Sequence, residues 1–244
     1  MSSSSEKIKV SLFGAGGRMG SESAVVISQD KDLELVNLVE NSESPAVGMN
    51  LGGLTISGDP FKLNLRGTIF CDFTNAKSAM KNAALAAELE CPILIGTTGF
   101  SDEELLFIEN FSAKIPVMFA PNLSRGIDLL YRLVQLSAKT LGEDFQVEII
   151  ESHHKWKLDA PSGTAKALAN TIRDFGGYAK IPVHSLRMGD ITGEHRIFFA
   201  GEGECIEITH RASSRLAFAK GVPKAVKFLA QAKPGFYSFR DALK

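Results

Sequence analysis

Cysteine is scarce in this chain. The three present, Cys71, Cys91 and Cys205, are odd in number, far apart and free of any C-x-x-C spacing, which excludes a disulfide framework and a zinc ribbon and suits a reducing compartment. Also lacking is any apolar run near the roughly 18 residues that a membrane helix needs. Charges nearly cancel, to a net of −1, so no general attraction for nucleic acid or anionic lipid is expected. The lead MSSSSEK has neither the apolar core of a signal peptide nor the Arg-rich length of a transit peptide, and reads as a disordered tail on a cytoplasmic protein. Beyond those serines there is no low-complexity segment and no internal repeat.

What is present is ordinary globular material. With 244 residues, 44% apolar and 23% charged, the chain has enough apolar surface for one large domain or two modest ones. In KIKVSLFGAGGRMGSESAVVISQ, Ile8, Val10 and Leu12 alternate with polar residues and Met19 to Ile27 follow helical spacing, which predicts a strand, a glycine turn and a helix. LELVNLVE, TIFCDFT, CPILIGTTG and IPVMFAPN read as further short buried strands, separated by the helical stretches KSAMKNAALAAELE and DEELLFIENF. Strands alternating with helices predict a Rossmann-type, doubly wound parallel α/β sheet.

After Asn122 the texture changes. SRGIDLLYRLVQLSAKTL predicts a long amphipathic helix, followed by the strand QVEIIE, a helix from about Gly163 to Phe175, and the strands VHSLRM, HRIFFA and ECIEITHRA. That order predicts a second, α+β domain with a mixed or antiparallel sheet. The expected division is residues 1–123, completed by 217–244 with a last helix VPKAVKFLAQ and a polar end, and residues 124–216.

GAGGRMG stands between a predicted strand and a predicted helix, where a dinucleotide-binding turn belongs. Gly14, Gly17 and Gly20 read G-x-x-G-x-x-G, and Met19 occupies the last glycine position of the commoner G-x-G-x-x-G spacing. Small residues let the backbone approach a pyrophosphate, and the helix start turns its unpaired N–H groups toward that charge. Glu40 closes the second predicted strand, where an acidic group holds the ribose 2′-hydroxyl of NAD. Arg18 suits the 2′-phosphate of NADP, but Asn41 and not a basic residue follows Glu40, so the lean is toward NADH. IGTTGF and APNLS follow predicted strands and therefore lie at the carboxyl ends of the sheet, where such folds bind ligands.

The densest polar segment is ESHHKWKLDAPSGTA. It crowds two histidines, two lysines around Trp156, and Asp159 into a few residues, groups that are costly to bury unpaired. Ser162 is placed to cap a helix whose first N–H groups, from Gly163 and Thr164, suit a carboxylate or phosphate, with Lys157 just upstream. His153 and His154 add groups that hold or release a proton near neutral pH. Adjacent histidines on an extended segment point to opposite faces, so no metal is expected. Arg211 and Arg215 are weaker candidates that surface ion pairs explain as easily.

Taken together, GAGGRMG, DFT, IGTTGF, APNLS, ESHHKWKLDAPSGTA, RMGDITGEH and ITHRASSR resemble the dihydrodipicolinate reductase family in order and over nearly the whole chain. The H-H-x-x-K-x-D-A-P-S-G-T run is the most specific. The resemblance implies NAD(P)H-dependent reduction of dihydrodipicolinate (4-hydroxy-tetrahydrodipicolinate) to tetrahydrodipicolinate on the diaminopimelate route to lysine. It also implies a homotetramer with a dinucleotide domain and a substrate and tetramerisation domain. By position, His153 matches the general acid and Lys157 the second catalytic residue, and His154, Ser162, Gly163 and Thr164 fall at substrate contacts. Gly14, Ala15, Gly16, Gly17, Arg18, Met19 and Glu40 match cofactor contacts, as do Gly96, Thr97 and Thr98, and Ala120, Pro121, Asn122 and Leu123. Three features depart from the family pattern: Asn41 stands where some members carry arginine, the Glu40 to Thr68 segment is short, and Trp156 replaces a smaller residue and is expected as a packing wedge beside the site. The rival readings are another NAD(P)-dependent reductase of an amino-acid precursor, and a sensor that binds NAD(P)H without turnover.

Overall fold

The structure, a computed structural model, describes residues 6–244. The expected disordered lead at Met1 to Ser5 lies outside the described residues. Along the chain run β1 (Ile8–Phe13), α1 (Arg18–Gln29), β2 (Leu33–Val39), a small hairpin of β3 (Asn50–Leu51) and β4 (Leu54–Thr55), β5 (Ile69–Asp72), α2 (Ala76–Glu88), β6 (Ile93–Ile95), α3 (Asp102–Asn110) and β7 (Pro116–Phe119). There follow α4 (Arg125–Leu141), β8 (Gln146–His153), α5 (Gly163–Gly176), β9 (Val183–Arg187), β10 (Gly193–Gly201), β11 (Glu204–Ala212), the short α6 (Leu216–Ala219), α7 (Val222–Leu229) and β12 (Gly235–Tyr237). The chain divides into two compact units, residues 1–123 with 218–244, and residues 124–217.

The first unit is built on a six-stranded parallel sheet of order β12-β7-β6-β5-β1-β2. Residues of one strand alternate between two apolar layers, as a pleated strand buried on both faces requires. Val10, Leu12, Leu38, Cys71, Leu94 and Met118 pack on one side with Ala24 and Ile27 of α1 and Val222, Ala225 and Val226 of α7. Phe13, Val39, Phe70, Ile93, Ile95 and Val117 pack on the other with Ala79, Ala83 and Ala86 of α2 and Ile108 of α3. The C-terminal segment corrects the sequence reading: the expected polar end contains β12, which pairs in parallel with Pro116 to Met118. Three residues are too few for a periodic signal, and the edge of β7 supplies the partner.

The second unit carries a mixed four-stranded sheet, β11-β10-β8-β9, antiparallel except for the β8–β9 pair. Val147 and Ile149 of β8, Ile197 and Phe199 of β10, Leu168 and Ile172 of α5, and Leu130 and Val134 of α4 form its core. The α/β fold class with a second mixed-sheet domain is therefore as expected.

Candidate active site

In a parallel sheet every strand ends on the same edge, so the loops after β1, β2, β5, β6 and β7 gather there. At this edge Gly14 has φ +80°, and a Cβ on it would lie 2.6 Å from the Phe73 carbonyl oxygen. A Cβ on Gly20 would come within 2.0 Å of the Gly14 carbonyl oxygen, so glycine is what lets α1 start so close to the turn. Gly17, the residue before α1, offers no side-chain cap, leaving the first N–H groups of the helix to an outside acceptor. Glu40 arrives from β2: Oε2 accepts from the Gly16 N–H at 2.9 Å and Oε1 from the Asn41 N–H at 2.9 Å.

A cavity of about 520 Å³ opens here, lined by Gly14, Gly17, Glu40 and Asn41, by Ser42, Gly58 and Pro60, and by Thr74, Asn75, Ser78, Lys81 and Asn82. Volume, glycine cradle and uncapped helix start fit a nucleotide with its phosphates. Arg18 is exposed, Met19 partly buried and Ala15 buried. After β6, Gly96 sits where a Cβ would strike the Phe73 ring, buried Thr97 donates to Asp72 at 2.6 Å, and Thr98 is exposed. After β7, Ala120 and Leu123 belong to the apolar core while Pro121 is exposed and Asn122 half-buried, so Ala120 and Leu123 can offer a ligand only backbone.

The second constellation lies at one end of the mixed sheet, on its helix-covered face. Register places Glu151 beside His195, and His195 beside His210, one step beyond the apolar row of Ile149, Ile197 and Ile208. His153 follows Glu151 on the same face of β8. The fully buried Glu151 carboxylate is surrounded by donors: His153 Nδ1, Arg187 Nη1 at 3.0 Å and Nη2 at 2.7 Å, and the Ser162 N–H at 3.2 Å. The Arg187 fork is bidentate, the strong form of such a pair. Ser162 caps α5, accepting from the Ala165 N–H at 3.2 Å, and its hydroxyl lies 3.4 Å from His195 Nε2. The His153 and His195 rings meet edge to face at 5.4 Å. A Cβ on Gly193 would lie 3.2 Å from His153 Nε2, so glycine keeps room beside that nitrogen.

These contacts set the charges. Burial works against ionised Glu151, but Arg187, Ser185 and His153 outweigh it and hold the carboxyl down at about 2. Burial lowers the His153 pKa despite Glu151, with Lys157 and Arg187 adding to the effect. His195 is pushed down to about 3 by burial and then by His153. Near neutral pH both imidazoles are therefore neutral, and His153 carries its proton on Nδ1, toward Glu151. Lys157 Nζ bonds Asp159 at 2.7 Å. The same Asp159 carboxylate, whose pKa is lowered because Lys157 and the Gly163 N–H outweigh its partial desolvation, engages two groups expected to receive a substrate carboxylate.

The expected residues His153, Lys157, Ser162 and Gly163 thus come together around Asp159 and Glu151. His154 is half-buried just past the end of β8, and Thr164 follows Gly163 in the first turn of α5. Trp156 corrects the sequence reading: it is 62% exposed, with Lys155 Nζ 4.8 Å from its ring centre, and is not a packing wedge. Arg211 is an exposed partner of Glu194 at 2.6 Å. Sequence reasoning missed Glu151, Arg187 and His195 as partners of His153. Arg187 and His195 belong to RMGDITGEH, and only strand register reveals that this motif faces the end of β8.

The family model described as dihydrodipicolinate reductase, N-terminus, matches residues 8–123, and the one described as dihydrodipicolinate reductase, C-terminus, matches residues 126–243. The chain belongs to the dihydrodipicolinate reductase family. It is 35% identical over 263 residues to the 4-hydroxy-tetrahydrodipicolinate reductase of Syntrophus aciditrophicus, covering 97% of this chain and 98% of the relative. To the 4-hydroxy-tetrahydrodipicolinate reductase of Citrifermentans bemidjiense it is 36% identical over the same length, again covering 97% and 98%. Among solved structures it is similar to the dipicolinate-bound dihydrodipicolinate reductase from Paenisporosarcina sp. TG-14, with a TM-score of 0.78, 25% identity and coverage of 95% and 97%.

Proposed function

We propose that this chain reduces dihydrodipicolinate to tetrahydrodipicolinate with a nicotinamide dinucleotide, on the diaminopimelate route to lysine. The observation that carries the reading is the conjunction of a Glu151-held His153 with a carboxylate receptor made of Lys157 and the start of α5. Family membership over both halves supports it. In this reading residues 1–123 with 217–244 form the dinucleotide domain and residues 124–216 bind substrate.

The bound cofactor supplies hydride. The residues of this chain supply the rest. An incoming carboxylate replaces that of Asp159 on Lys157 and the Gly163 N–H, with Thr164, Ser162 and His154 completing the grip, and fixes the ring in place. Negative charge arriving beside His153 favours protonation of its Nε2, the nitrogen facing the space at Gly193. His153 then delivers that proton to the reduced ring as general acid, while Glu151 keeps Nδ1–H in place and stabilises the imidazolium. A sensor without turnover has no use for so ordered an acid.

In the first unit the turn from Gly14 to Met19, with Glu40, receives the dinucleotide; Gly96, Thr97 and Thr98 and the backbone of Ala120, Pro121, Asn122 and Leu123 complete its surroundings. NADH is preferred. The Glu40 carboxylate at the cavity wall repels a 2′-phosphate and accepts from a ribose hydroxyl, while Arg18 and Lys81 soften that preference. The face of the mixed sheet away from α4 and α5 carries Ile150, Leu186 and Phe198 among paired charges, which supports association through the sheets into a homotetramer. Among the described residues no helix is long and apolar enough to cross a membrane, and three free thiols suit a cytoplasmic location.

The test is nicotinamide absorbance during turnover, with dihydrodipicolinate generated in situ and NADH and NADPH supplied separately. Substrate-dependent oxidation, faster with NADH, is expected. Folded protein that oxidises neither would sink the reading.

A further inference from the structure

A buried carboxylate outside the proposed chemistry lies at the middle of the parallel sheet. Asp72 ends β5, between β1 and β6, and is fully buried. Its Oδ1 accepts from the Thr74 N–H at 3.1 Å, the Thr74 hydroxyl at 2.8 Å and the Thr97 hydroxyl at 2.6 Å; its Oδ2 accepts from Asn82 Nδ2 at 2.6 Å. Oδ2 thus meets an N–H that cannot accept and Oδ1 meets one N–H and two hydroxyls, while burial pushes the Asp72 pKa up against the pull of these donors. One side chain ties together the turn after β5, helix α2 and the loop after β6.

Stability alone does not explain such a group. A buried charge gains little over well-packed apolar residues, since its desolvation offsets most of what its donors return. What Asp72 does achieve is directional. Asn82 must turn its amide nitrogen inward, which leaves its Oδ1 as the free end, and the Thr74 hydroxyl has Asp72 at 2.8 Å as its nearer acceptor, against 3.3 Å for the Asn75 carbonyl. Both residues line the cavity beside Gly14 and Glu40. The wall consequently offers lone pairs, and these suit ligand hydroxyl and amide N–H groups rather than phosphate oxygens.

We propose that Asp72 is a positioning residue that sets the hydrogen-bond polarity of this wall, holding Thr74 and Asn82 as acceptors for the hydroxyl and amide N–H groups of a bound dinucleotide. The inference rests on the reductase reading and goes beyond it. It assigns a role to a residue that touches no ligand itself.

The test measures NADH and dipicolinate binding separately, by titration calorimetry on the full chain. In Asp72→Asn the new amide confronts the Asn82 amide, which relieves the clash by turning over and presenting N–H to the cavity. NADH affinity should fall about tenfold or more, the worth of one misdirected hydrogen bond. Dipicolinate affinity should change less than about twofold, since that site lies on the other unit's residues. Combining Asp72→Asn with Asn82→Asp exchanges donor and acceptor and restores a lone pair to the wall, so NADH affinity should recover to within about threefold. Should Asp72→Asn not fold, Thr74→Val, at a half-buried turn position, carries the same expectation. Unchanged NADH affinity in a folded variant, equal loss of both ligands, or no recovery in the double variant would overturn the inference. Failure of the unaltered chain to bind either NADH or NADPH would instead overturn the reductase reading.

Discussion

Glu151 and His153 stand two residues apart on β8, and the buried carboxylate of the first accepts the Nδ1 proton of the second. Period-two geometry makes this pair inevitable once β8 runs as far as His153. Arg187, arriving on the parallel strand β9, then fixes the carboxylate from its other side. The imidazole is held in one tautomer before any substrate arrives.

Replacing Glu151 by Gln keeps an acceptor near Nδ1 but removes the charge. Turnover should fall about 100-fold. Because Glu151 raises the His153 pKa and a general acid acts in its protonated form, its neutralisation should also move the alkaline limb of the kcat/KM profile to lower pH. A profile that does not move would mean that the titrating group is not His153. Leaving Arg187 without its charged partner should also lower the unfolding free energy, read from urea titration, by the roughly 3 kcal/mol typical of a broken buried pair.

Asp159 pairs with Lys157 and the Gly163 N–H, the groups proposed to receive a substrate carboxylate. The Asp159→Asn variant should therefore bind dipicolinate roughly two- to fivefold more tightly, the range of a half-exposed ion pair. Weaker binding by calorimetry would show instead that Asp159 orients Lys157 for the ligand.

Acid should destabilise the protein in two stages. His195 has a folded pKa of about 3 against an ordinary 6.5, so between those values the unfolded chain binds the extra proton and stability is lost as pH falls. Glu151, at about 2 against 4.5, contributes stability that is complete above 4.5 and lost on descending toward 2. Melting temperature followed from pH 7 downward should begin to fall near 6.5 by the first process and steepen below 4.5 by the second. In His195→Gln the upper stage should flatten; an unaltered slope there would assign it to other groups.

Gly20→Ala places a methyl group 2.0 Å from the Gly14 carbonyl oxygen. Either α1 or the turn must shift, which should cost about 1–3 kcal/mol and weaken dinucleotide binding together. Gly67→Ala is the control, because its φ of +71° strains the chain in open space and should affect stability alone. Equal dinucleotide affinity in both variants would show that the close approach at Gly20 is not needed by the ligand.

Much of this could be read from the chain before any fold was known. Helix and strand periods, the Ser162 cap, and the glycine turn followed by Glu40 are local properties, decided by neighbours within a few residues. The strand β12 was not legible, because a three-residue edge strand exists only where another edge accepts it. Nor was Trp156, whose aromatic bulk suggested packing although nothing in the sequence tells which loop residues face water.

The sequence by itself determined the alternation of elements, the two-part division and the clustering of His153, Lys157 and Ser162 in one segment. Only the tertiary structure decided the partners: Arg187 and His195 beside Glu151, and Thr97 and Asn82 on Asp72. The reason is physical. Hydrogen-bond partners across a sheet are chosen by strand order and register, which arise from how whole elements bury their apolar faces, and no residue's neighbours along the chain carry that information.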